Sequence, residues 1–158
     1  MKRLAVTRFT DGCLPADWQW EIARHAVELG RLNITGGSGV RIPLSGRAWR
    51  RVRVEVDLLR VSDEVSIGCI DDNRKVFIKI PTGKYGRHYV AKHHDRKQLG
   101  WSSEQVALPA GAMSVAFEFD CAHVAGFVDG RKVVHAEDPM GRSVAGWLWL
   151  NFTGNAQV

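Results

Sequence analysis

Apolar and polar residues alternate along most of this chain. In WRRVRVEVDLL (49–59), Val52, Val54, Val56 and Leu58 share one face, and Arg51, Arg53, Glu55 and Asp57 share the other. A period of two is the mark of a strand with one buried face. AMSVAFEFD (112–120) repeats it, with Val115, Phe117 and Phe119 opposite Glu118 and Asp120. VAGFVDGRKVVHA (124–136) sets Asp129-Gly130 between two strand-like runs, a strong hairpin signal. VSIGCI (65–70) and RKVFIKI (74–80) flank the turn residues Asp71, Asp72 and Asn73. RLAVTRF (3–9), RLNIT (31–35) and GVRIP (39–43) add further short strands, and WQWEIARHAVEL (18–29) also reads as extended. About ten short strands broken by Gly and Pro predict an all-β fold, a two-sheet antiparallel β-sandwich of the jelly-roll kind, as one domain over 1–158.

One segment breaks the rule of a single apolar face. In GWLWLNF (146–152), Leu148, Leu150 and Phe152 point one way and Trp147 and Trp149 the other. A strand exposed on one side carries polar residues there. The two tryptophans therefore predict a second covering layer, a partner or a ligand.

Composition narrows the class. Of 158 residues, 45% are hydrophobic and 25% charged, an ordinary globular balance. No apolar run approaches the roughly 20 residues that span a bilayer, so no membrane partner is expected. MKRLAVTRFTDG lacks the apolar core of a signal peptide. That predicts a cytoplasmic chain, or a secreted one if a leader preceded it. Cys13, Cys69 and Cys121 cannot all pair with one another and show no metal-ligand spacing, so they read as thiols. A net charge of +5 permits attraction to polyanions. There is no GxSxG, phosphate-binding glycine loop or HExxH.

Several segments together resemble the concanavalin A-like lectin/glucanase superfamily, including laminin G-like domains and 3-keto-glycoside hydrolase-type domains. FTDG (9–12), a following Trp and VELGRLNITGG resemble the family's entry. WRRVRVEVDLL resembles the strand after it, and FEFDCAHVAGFVDGRKV the penultimate hairpin. Such domains usually continue into a last strand beyond the point where this chain ends at NAQV. The resemblance implies a curved sheet whose concave outer face holds a saccharide. Trp147, Trp149, Asn151, Arg53, Tyr89 and His93 are then the expected ligand-binding residues, with Glu55 and Asp57 also facing hydroxyls. Flat aromatic walls with a few polar groups suit such a ligand.

Hydrolysis is the alternative the resemblance implies. Glu55-Val-Asp57 resembles the opening of the glucanase catalytic strand, but Leu59 and Arg60 stand where its third carboxylate should be. Retaining glycosidases need two carboxyl groups about 5–5.5 Å apart. Glu118 and Asp120 are a second same-face pair, able to do acid–base work if a pocket separates their pKa values. An unusual 3-keto glycoside is the substrate class that this reading takes. The stretch KYGRHYVAKHHDRK (84–97) interleaves Tyr85 and Tyr89 with five Lys or Arg residues and three histidines. It admits a saccharide or, less favoured, a nucleic acid. His93 and His94 are neighbours on opposite faces of an extended chain, so no metal is predicted there. Asp71, Asp72 and Asn73 offer oxygens to calcium, which laminin G-like domains often bind, but only a fragment of its six to eight ligands. No other cofactor is expected. A third reading makes the apolar Trp face a homo-oligomer contact.

Overall fold

The computed structural model of the chain describes residues 13–21, 25–29, 31–44, 49–70, 75–82, 88–92, 97–101, 111–137 and 146–158, with backbone alone at 89, 91, 92 and 97–101. These residues form strands and no helix. In chain order the strands are β1 (Gln19–Trp20), β2 (His25–Glu28), β3 (Arg31–Ile34), β4 (Ser38–Pro43), β5 (Val52–Leu58), β6 (Arg60–Val61), β7 (Glu64–Ile70) and β8 (Lys75–Pro81). There follow β9 (Tyr89–Lys92), β10 (Lys97–Trp101), β11 (Met113–Phe119), β12 (His123–Val128), β13 (Arg131–Glu137), β14 (Trp147–Thr153) and β15 (Ala156–Gln157).

Two sheets make the sandwich. One has seven strands in the order β1-β4-β14-β7-β8-β9-β10, the other four in the order β13-β12-β11-β5. Every pairing is antiparallel, so each strand can present one face to the core. The alternation read from sequence holds. Val52, Val56, Leu58, Val115, Phe117 and Phe119 are buried from the four-stranded sheet. Val65, Ile67, Ile78, Ile80, Leu150 and Phe152 meet them from the seven-stranded one. Gly126 of β12 marks the close approach of the layers: a Cβ there would lie 3.0 Å from Ile78 Cδ1 of β8.

A third, small sheet has the order β2-β3-β15-β6, which the two-sheet expectation did not include. Its strands β6 and β15 directly follow β5 and β14 in the chain. Its buried core contribution is Leu32, Ile34 and Ala156. The final residues are tied in: Ala156 pairs with Ile34 and Val61, and Val158 exchanges two backbone hydrogen bonds of 2.9 Å with Leu32.

Among the described residues, positive φ marks two of the hairpin turns. Asp129 (48°) and Gly130 (76°) join β12 to β13, as the Asp-Gly pair predicts. Leu29, with φ 52°, joins β2 to β3 and is 99% exposed. A leucine there suffers the Cβ clash of the left-handed region and buries nothing in return. Leu29→Asn is expected to stabilise the protein by about 0.5–1 kcal/mol, since Asn-Gly fits such a turn. The check is a rise in the urea midpoint at unchanged m-value.

Candidate functional site: the outward face of the seven-stranded sheet

On the face of β14 that looks away from the core, Trp149 and Asn151 lie in register with polar and small residues on both sides. Trp149 stands between Arg41 of β4 and Gly68 of β7, and Asn151 between Gly39 and Ser66. Trp147 stands between Pro43 and Ile70. One strand further, Phe77 of β8 is opposite Gly68 and Lys79 opposite Ser66. Tyr89 occupies the register position opposite Lys79 on β9.

Trp149 and Phe77 are buried, at 6% and 7% exposure, yet neither belongs to the core between the sheets. They form an aromatic pair of their own on the outer face, edge to face at 75° with ring centroids 5.5 Å apart. Such pairs contribute about 0.5–1.5 kcal/mol beyond their area. Their strands are separated by β7, and two strand spacings are roughly 9.6 Å. The rings therefore lean inward over β7, where Gly68 has no side chain to stop them. A Cβ at Gly68 would collide with Val76 O and Phe77 Cβ and lie 2.6 Å from Phe77 Cα.

Lys75 covers this pair. Its Nζ stands 2.9 Å from the Trp149 ring centroid and 5.6 Å from that of Phe77. Burial pushes the Lys75 ammonium down to about 8, with the Glu21 carboxylate opposing this and Arg41 adding to it. The indole face favours the charged form. Trp149 Nε1 is buried with no hydrogen-bond partner among the described residues. Glu21 Oε1 accepts from Arg41 Nε at 3.1 Å and lies 3.1 Å from Nη2 of the same guanidinium, and its carboxylate lies where a Cβ on Gly39 would be. Asn151 Oδ1 is 3.3 Å from that same Cβ position. On the other side Glu64 binds Lys79 Nζ at 2.6 Å and accepts from Thr153 Oγ1 at 3.0 Å.

The expected site residues divide between two layers. Trp147, Trp149 and Asn151 lie together on the seven-stranded sheet, with Trp147 and Asn151 half-buried. Arg53, Glu55 and Asp57 lie on β5, whose sheet partner is β11. Because β5 turns its valines into the shared core, its charged face looks out of the opposite side of the sandwich. This corrects the expectation that Arg53 and its neighbours share a groove with the tryptophans. Arg53 instead binds Glu118 at 3.1 Å and Glu55 at 3.5 Å, with its guanidinium carbon 4.9 Å from the Phe127 ring centroid. Ser114 Oγ donates to Glu55 at 2.9 Å, and Asp57 is exposed opposite Ser114.

The acid pair Glu118 and Asp120 is also separated in role. β11 ends at Phe119. Asp120 Oδ1 accepts from the His123 backbone N–H at 2.9 Å and sits 3.1 Å from His123 Nδ1. Partial burial pushes its carboxyl up, but hydrogen bonds from His123 and Ala122 and the His123 charge outweigh this and hold it below the usual range. It serves as the clasp of the β11–β12 turn, while Glu118 serves Arg53.

Of the basic stretch, His88 is fully buried and Tyr89–Lys92 form β9 inside the sheet. His93 lies outside the described residues, as do Asp71, Asp72 and Asn73. Sequence reasoning passed over Glu21, Arg41, Lys75 and Phe77. The signal for two of them was the alternation of β8: Val76, Ile78 and Ile80 are core, which leaves Phe77 beside Lys75 and Lys79 on the polar face.

No family model matches this chain, and no curated protein does. Solved structures do. A carbohydrate-binding module, CBM66 from Bacillus subtilis, superposes with a TM-score of 0.62 at 14% identity, covering 90% of this chain and 91% of that one. A β-glucanase of Bacillus licheniformis gives 0.63 at 12% identity, covering 90% and 82%. The galectin LEC-6 of Caenorhabditis elegans gives 0.55 at 15% identity, covering 74% and 84%. At these identities the likeness is one of fold: the jelly-roll sandwich of the concanavalin A-like lectins and glucanases.

Proposed function

We propose that this chain is a saccharide-binding module whose ligand lies across the outward face of the seven-stranded sheet. The observation that carries this reading is the aromatic pair of Trp149 and Phe77, held outside the core beside the half-buried Trp147 and Asn151. Sugar rings pair apolar C–H faces with a rim of hydroxyls. They suit a surface of aromatic walls and few polar groups, here Arg41, Glu21 and Asn151. Lys75 must swing aside for a ring to reach Trp149. A cation–π contact of about 0.5–2 kcal/mol on a flexible side chain is a barrier that a ligand can overcome. The neighbours described as a carbohydrate-binding module and a galectin support the ligand class.

Binding without hydrolysis is favoured by the state of the acids. On this face, among the described residues, Glu21 is tied to Arg41 and Glu64 to Lys79. The candidate catalytic carboxylates Glu55, Asp57 and Glu118 belong to the other sheet.

Calorimetric titration against an oligosaccharide array is the test. At least one sugar is expected to bind, and Trp147→Ala and Asn151→Ala to weaken it about ten-fold or more while keeping the β-sheet circular dichroism. Binding that survives both substitutions would move the site elsewhere, and an array with no binder would remove the reading.

A further inference from the structure

Among the described residues the outer face holds more cations than anions. Its described cations are Arg41, Lys75 and Lys79, and its acids are Glu21 and Glu64. Each acid is taken: Glu21 by both Nε and Nη2 of Arg41, Glu64 by Lys79 and Thr153. Lys75 has no carboxylate within ion-pair distance among the described residues. Its ammonium rests on the Trp149 ring instead. Beside it, the Trp149 Nε1–H is also without an acceptor among the described residues. A partly buried ammonium loses hydration, and an aromatic face returns only part of it. An anionic oxygen would return far more, because charge-assisted hydrogen bonds are about twice as strong as neutral ones.

We infer that the saccharide this face takes is acidic, with a ring over Trp149 and a carboxylate or sulfate group on the Lys75 ammonium. The inference rests on the binding reading above and specifies its ligand class. A neutral sugar would have to displace Lys75 from the indole and offer it only uncharged hydroxyl oxygens, the weaker acceptors. An acidic sugar draws the ammonium off the ring and onto itself, so the same motion that uncovers Trp149 forms the new ion pair. The charges facing Lys75 fit this: Arg41 repels the ammonium, and Glu21, which attracts it, is already held by Arg41. Burial pushes the amine down to about 8, so it remains the cation at neutral pH.

Matched ligand pairs test this. Oligogalacturonides are titrated beside their methyl esters, and sulfated galactan oligosaccharides beside their desulfated forms. In one pair or both, the acid is expected to bind about ten-fold or more tighter than its neutral partner. The pair that responds identifies carboxylate or sulfate. Lys75→Met is expected to abolish the preference and Lys75→Arg to retain it, so loss of charge is told apart from loss of fold. Lys132→Met, on the opposite sheet, controls for net charge and is expected to leave the preference intact. Equal binding of acid and neutral partner overturns the inference and leaves saccharide binding standing. A preference that survives Lys75→Met, or falls equally in Lys132→Met, overturns it as bulk attraction of a polyanion. Binding of neither member of any pair overturns it too. Whether neutral sugars of the wider array still bind then decides if saccharide binding falls with it.

Discussion

Trp149→Ala is expected to cost about 3–5 kcal/mol of folding stability, the loss typical of a buried aromatic. The open groove that the resemblance implies for Trp149 predicts something milder, since a tryptophan lining such a groove leaves no sealed cavity when truncated. The structure corrects that. Trp149 is 6% exposed, no more than Leu150 at 7% on the core side of the same strand. Its ring fills the space between Phe77 and Lys75. Truncation uncovers Phe77 and strips Lys75 of its indole at once. Leu150→Ala, with an expected cost of about 2–5 kcal/mol, is the reference in the same urea titrations. Trp149→Phe should cost clearly less. It keeps a ring against Phe77 and removes the N–H that finds no partner, whose burial opposes folding by about 1–3 kcal/mol. A loss below about 1 kcal/mol for Trp149→Ala would mean that the outer aromatic pair is open to solvent and stabilises nothing.

This difference shows what alternation reports and what it leaves out. Period-two patterning assigns each side chain to a face, and it did so correctly for Val52 to Leu58, for Val115 to Phe119 and for Leu148 to Phe152. The Asp129-Gly130 turn was equally legible, because it depends on local backbone preference. Patterning is silent on which sheet a strand joins. Arg53 and Trp149 both lie on non-core faces, yet β5 pairs with β11 and β14 lies between β4 and β7. Those partners are distant in sequence and set by the packing of the whole chain. The same limit hid Lys75. It reads as one more solvated lysine until the β7–β8 register brings it over an indole contributed by β14. His88 is the converse: it sits in the most basic stretch of the chain and is buried.

Gly68 is where strand propensity and packing disagree most sharply. Valine is a far better strand former than glycine, and Gly68 sits inside a seven-residue strand. Gly68→Val is nevertheless expected to destabilise the protein by more than about 3 kcal/mol, above the usual 1–3 of an overpacked core. The obstacles are Val76 O and the Cα and Cβ of Phe77. Backbone atoms of a paired strand cannot rotate away, so β7 and β8 must separate or twist. The added methyl groups would also occupy the space over which Trp149 and Phe77 meet, and the near-ultraviolet circular dichroism of that pair should fall. Gly130→Ala is the contrast. A Cβ at Gly130 meets nothing within 4 Å, and its φ of 76° costs about 1–2 kcal/mol through backbone conformation alone. Urea midpoints should therefore rank wild type above Gly130→Ala and Gly130→Ala well above Gly68→Val. The near-ultraviolet signal should change only in the last, because only there does the substitution push apart the two rings on which the proposed ligand face is built.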